Sequence, residues 1–139
     1  MKELCPAVCF CAAALSLVAQ AAERSVWDGV YTVEQARRGQ QLSGEECARC
    51  HSESLAGGEN APGLVGPAFL QRWGNTGLGE LFEKMRSTMP TDSPGRLSRQ
   101  QYADILAYIL NANKLPTGAA ELSRDATELN QIRIESTKR

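Results

Sequence analysis

The chain has 139 residues and a formal charge of −1. That length is enough for one domain. The charge supplies no long-range field that would recruit nucleic acid or an anionic membrane surface, so nucleic-acid binding is excluded as a function class.

The first residues differ from the rest. Leu4 to Ala19 is apolar and uncharged, and Ala19-Gln20-Ala21 has the small-x-small pattern of a cleavage site. The expectation is a secretory signal over 1–21, which makes the protein periplasmic. The competing reading is an uncleaved anchor, because Leu4 to Ala22 is just long enough to span a bilayer. Of the five cysteines, Cys5, Cys9 and Cys11 fall in this segment.

Residues 22–31 form an N-terminal arm, with Trp27 and Tyr31 expected to pack on the domain. Thr32-Val33-Glu34-Gln35 reads as a capping box, opening a helix to about Ser43. Gly39, Ser43 and Cys47 are spaced four apart and share one face. Glycine there lets another helix approach closely.

Cys47-Ala48-Arg49-Cys50-His51 follows. Two cysteines three apart, with histidine directly after the second, form the spacing of a c-type haem attachment site. Each thiol adds to one vinyl group of the porphyrin, and the adjacent imidazole meets the iron. His51 is the only histidine. Structural zinc needs four ligands, and Cys47, Cys50 and His51 supply three at most. A thioredoxin-like dithiol wants a βαβ context, and no strand-rich stretch surrounds these residues.

Ser52 to Leu70 reads as a loop, with four glycines and two prolines. A carbonyl from it is expected to accept the free ring N–H of His51. Pro62 is the first candidate and Pro67 the second. The alternative is that both prolines only stiffen the loop.

A helix is expected from about Leu78 to Thr88, with Leu78, Phe82 and Met85 on its apolar face. Met89-Pro90 ends it. Ser98-Arg99-Gln100-Gln101 is a second capping box, opening a helix over about Arg99 to Ala112. Tyr102, Ile105 and Ile109 form its stripe, and Asn113 and Pro116 stop it. Residues 117–139 form a C-terminal extension that packs on the domain, with a short helix near Ala126 to Gln131.

The other haem face needs a ligand. Thioether sulfur raises the potential by favouring Fe(II). Met89 leaves regular geometry at a helix exit and is preferred. Met85 lies on an apolar stripe and reads as core packing. An open sixth position, suited to a gas or peroxide, is the third possibility, although no distal histidine or acid–base pair accompanies it.

With these residues assembled, the chain resembles a class I monohaem cytochrome c of the exported bacterial type over roughly Val26 to Pro116. The resemblance rests on the attachment motif, Gly39 eight before Cys47, Pro62-x-Leu64-x-Gly66, Met89-Pro90 and the Ala107-Tyr108 helix. It implies an all-α fold with three main helices around one covalent haem c, loops and the C-terminal extension. The cytochrome domain is 32–116. The implied haem contacts are Cys47, Cys50, His51, Met89, Pro62 and Leu64, with His51 and Met89 on the iron. It also implies that Gly39 meets Tyr108. The family usually has an aromatic four residues after that glycine, where this chain has Ser43.

The implied activity is electron transfer without substrate chemistry. The partners would be redox proteins, among them a periplasmic quinoprotein dehydrogenase or a terminal oxidase. A membrane is involved only if the signal is uncleaved. Two alternatives are a five-coordinate haem protein binding gas or peroxide, and a dedicated electron-accepting subunit of a periplasmic dehydrogenase that docks through the tail after Pro116.

Overall fold

The computed structural model describes residues 23–138. The expected signal at 1–21 and its three cysteines lie outside the described residues. In chain order the elements are β1 (Arg24–Ser25), α1 (Val33–Glu46), α2 (Ala48–His51), α3 (Pro67–Trp73), α4 (Leu78–Thr88), α5 (Arg99–Ala112), α6 (Ala126–Leu129) and β2 (Ile132–Arg133). The fold is all-α apart from the parallel pairing of β1 with β2, which ties the arm to the tail. Among the described residues no helix is long and apolar enough to cross a membrane.

The main packing is α1 against α5. A Cβ on Gly39 would lie 1.8 Å from the Asp104 carbonyl oxygen, so the crossing exists only because Gly39 has none. The three atoms nearest to such a Cβ are backbone atoms of Asp104 and Ile105, so these two residues set the closeness of the crossing. Tyr108 follows one helical turn later and is half-buried. Polar groups brace the same crossing. The Arg38 guanidinium donates to both Asp104 carboxylate oxygens at 3.0 Å, and Gln100 Nε2 donates to the same carboxylate at 2.9 Å. Asp104 is buried, and a buried carboxylate is tolerable only with such pairing.

The N-terminus of α1 departs from the expected capping box in one respect. Thr32 caps, its hydroxyl accepting from the Gln35 N–H at 3.1 Å. The Gln35 side chain does not reach back. It is fully buried, accepts from the Leu122 N–H at 2.7 Å and donates to the Leu122 carbonyl at 3.2 Å. The side-chain amide is thus committed to the tail backbone in place of the local bond. Gln35→Leu is expected to destabilise the protein by about 2 kcal/mol, because it strands two buried backbone groups; equilibrium denaturation of the holoprotein measures this. The tail is therefore built into the body. Leu122, Leu129, Ile132 and Ile134 are buried, Arg38 pairs with Glu121, and the Trp27 indole donates to the Glu135 carbonyl at 3.1 Å.

α5 opens as expected. The Ser98 hydroxyl accepts from Gln101 N–H at 3.2 Å and Gln101 Oε1 accepts from Ser98 N–H at 2.8 Å. Three other boundaries move. α1 runs on to Glu46 rather than Ser43. The expected loop over Ser52 to Leu70 ends at Gly66, where Pro67 starts α3 at a position that suits proline; seven residues are too few to show helical periodicity. The last short helix stops at Leu129, two residues early.

Asp125 caps that helix, accepting from Thr127 and Glu128 N–H at 2.8 and 3.2 Å. The Glu128 and then the Thr127 backbone N–H hold its carboxyl below the usual range. A lowered folded value means the cap contributes fully above the ordinary carboxylate range and fades as pH falls through the lower one. Asp125→Asn, which does not titrate, is expected to flatten the acid limb of the melting-temperature profile below about pH 5.

Candidate haem site

The attachment residues share one helical turn. Cys47 N–H donates to the Ser43 carbonyl at 2.9 Å, and Cys50 and His51 N–H donate to the Cys47 carbonyl at 3.1 and 2.9 Å. The turn leaves Cys50 exposed, Cys47 half-buried and His51 buried. Burial pushes the Cys47 thiol above its ordinary pKa, partly countered by a hydrogen bond with the buried Ser43 side chain.

After His51 the chain doubles back. Ser52 and Leu55 adopt positive φ, and Gly57 N–H donates to the His51 carbonyl at 2.9 Å. A Cβ on Gly57 would sit 2.6 Å from the Pro62 carbonyl carbon, and Gly57 has φ +80°. Both observations make glycine necessary there, and they let Pro62 close on His51. The Pro62 carbonyl lies 2.8 Å from His51 Nδ1. With Nδ1–H donating to it, Nε2 is the nitrogen left for a metal.

The next loop segment is held by the end of α5. Asn113 Nδ2 donates to the Leu64 carbonyl at 2.9 Å, and Asn113 Oδ1 accepts from Gly66 N–H at 2.9 Å. Asn113 is thus more than a helix stop.

On the other side, α4 turns Leu81 and Met85 toward a cleft that Met89 also lines. Leu78 and Phe82 are fully buried and do not line it. The expected stripe of Leu78, Phe82 and Met85 is therefore two faces. α4 is covered by α6 on one side, a contact that needs the folded tail. Met89 closes the helix with extended backbone, φ −125° and ψ 148°, its N–H donating to the Met85 carbonyl at 2.8 Å. Tyr102 on α5 donates its hydroxyl to the Met89 carbonyl at 2.7 Å.

The cleft measures about 360 Å³, within the range of small-molecule and cofactor sites. Cys47, Cys50, His51, Pro62, Leu64, Met85 and Met89 all line it; Pro67 does not. Its walls include Phe69 and Trp73 of α3, Leu81 of α4, and Ile105 and Ile109 of α5. One rim carries two ion pairs, Arg49 to Asp92 at 3.3 Å and Arg96 to Glu46. The fit to a haem is chemical. Apolar walls suit a porphyrin, two cysteines stand within one turn, and a buried imidazole has one nitrogen already committed to a carbonyl. Among the described residues no cluster of three or more His, Cys, Asp or Glu side chains is arranged to hold a bare metal ion.

The family model described as cytochrome C oxidase, cbb3-type, subunit III matches residues 34–109, more than half of the chain. The chain belongs to this cytochrome c family. The match spans α1 through most of α5, so it covers every cleft residue named above. No curated protein and no solved structure matches the chain. The cofactor of this cytochrome is covalent haem c, attached through Cys47 and Cys50. Sequence reasoning missed Gly57, Tyr102 and Asn113 as site residues. Only Tyr102 left a signal, since a tyrosine on a buried stripe needs a partner for its hydroxyl.

Proposed function

We propose that this cytochrome is a periplasmic electron carrier whose iron is held by His51 and Met89. Haem c supplies a one-electron iron couple. The chain tethers it through Cys47 and Cys50, orients the imidazole through Pro62, and excludes water with the aliphatic faces of α4 and α5. Little reorganisation accompanies a one-electron change in such a site, because its donors are preset.

The observation that carries the reading is one apolar cleft lined by the sole histidine and by Met89. An open sixth position would require both Met85 and Met89 to turn away from the cleft they line. Met89 is favoured over Met85 because it leaves the helix on extended backbone, whereas Met85 is fixed in a regular turn. The partners are redox proteins that dock briefly over a small area. The family's name points to a terminal oxidase, and a periplasmic quinoprotein dehydrogenase is the other class. The tail is an unfavourable docking element for such a dehydrogenase, because its apolar side chains are spent on the body.

The test is the optical spectrum of the oxidised protein, with carbon monoxide added to the reduced form. Six-coordinate low-spin features, a weak far-red charge-transfer band and slow carbon monoxide binding are expected. A high-spin resting spectrum with rapid stoichiometric binding would overturn the reading.

A further inference from the structure

Loop 89–95 joins α4 to the approach of α5 and carries Met89 at its head. Its restraints to the rest of the protein are unequal. Arg49 and Asp92 form an exposed pair, and the Arg96–Glu46 pair beyond the loop is open to solvent on the arginine side. Such pairs contribute little and weaken with salt. Tyr102 is different. Its side chain is 1 % exposed. The hydroxyl donates to the Met89 carbonyl at 2.7 Å and accepts from the Gly95 N–H at 3.1 Å. One buried oxygen therefore fastens the first and last residues of the loop to α5.

We propose that Tyr102 is a positioning residue for the sixth ligand, its hydroxyl pinning both ends of loop 89–95 so that the Met89 side chain is kept in the haem cleft. This rests on Met89 as the ligand. The ring alone would serve packing, and phenylalanine would provide it. The hydroxyl adds a restraint at the Met89 carbonyl oxygen, two covalent bonds from the Met89 Cα, where a small backbone displacement is passed to the side chain.

The experiment compares Tyr102→Phe with Tyr31→Phe in the haem-loaded protein. Tyr31 is a matched control. It is fully buried and its hydroxyl also donates to a backbone carbonyl, that of Leu115 at 2.5 Å, but it does not line the cleft. Tyr102→Phe is expected to raise the rate of carbon monoxide binding to the reduced protein about tenfold and to weaken the far-red band of the oxidised form. Tenfold corresponds to about 1.4 kcal/mol, a modest part of what is lost when both the Met89 carbonyl and the Gly95 N–H lose their shared partner. Tyr31→Phe is expected to lower the melting temperature while leaving both readouts unchanged.

An unchanged rate and band in Tyr102→Phe would overturn the proposal, as would equal changes in both variants, which would indicate general loosening. Met89→Ala separates the two levels. If it keeps the far-red band, the ligand assignment itself fails. If it loses the band while Tyr102→Phe is silent, only the role of Tyr102 fails. Hydrogen exchange in the unaltered protein gives a check free of folding defects: the Gly95 amide should be protected like those of α5, and a freely exchanging amide would overturn the proposal.

Discussion

Gly39→Ala is expected to lower the stability of the holoprotein by about 2–4 kcal/mol, beyond most single substitutions of one methyl group. The added carbon would sit 1.8 Å from the Asp104 oxygen, 2.4 Å from its carbonyl carbon and 2.9 Å from the Ile105 nitrogen. All three are backbone atoms of a regular helix, so no side chain can rotate away. The helices must part by about 1.5 Å to reach ordinary contact. That movement strains the Arg38–Asp104 fork and opens packing at the largest helix contact. Opposing it is the better helix propensity of alanine, about 1 kcal/mol. Gly44 isolates that smaller effect. It lies on α1 too, is exposed, and has nothing within 4 Å of an added carbon. Gly44→Ala should stabilise by up to about 1 kcal/mol. Opposite signs at two glycines of one helix, read by thermal or denaturant unfolding, would establish the crossing. Equal signs would refute it.

Met89→Ala is expected to remove the far-red band, open the sixth position to carbon monoxide and lower the reduction potential. Loss of the soft sulfur removes the donor that favours Fe(II). Met85→Ala should leave the band and the potential nearly unchanged and cost about 2 kcal/mol. The cost sits at the low end for a methionine truncation, because the side chain is half-buried. The pair of variants is decisive because both side chains line the same cleft one helical turn apart. If Met85→Ala alone abolishes the band, the assignment moves to Met85. If neither does, the electron-carrier reading loses its sixth ligand.

Much of the helical framework was legible in the chain. The α4 and α5 boundaries follow from local signals: a proline after Thr88, a reciprocal Ser98–Gln101 box, and an asparagine after Ala112. The two-turn α3 was not legible, because seven residues carry too little periodicity to separate helix from a proline-rich loop. The face that α4 presents was misread for a different reason. Hydrophobic residues on both sides of a helix look like one broad stripe until the tail covers one side and the cleft claims the other.

By itself the sequence determined the chemistry of attachment. Cys47, Cys50 and His51 are neighbours along the chain, so one helical turn suffices to bring them together and no distant contact is needed. Tertiary structure alone decided how that chemistry is framed. Gln35 bonds Leu122 across 87 residues, Tyr102 bonds the Met89 carbonyl across 13, and Asn113 holds Leu64 across 49. A polar side chain in a periodic pattern shows that it will need a partner. Which backbone group becomes that partner depends on which segments the packing of α1 on α5 and the folding-back of the tail bring within hydrogen-bond range, and local spacing carries no record of either.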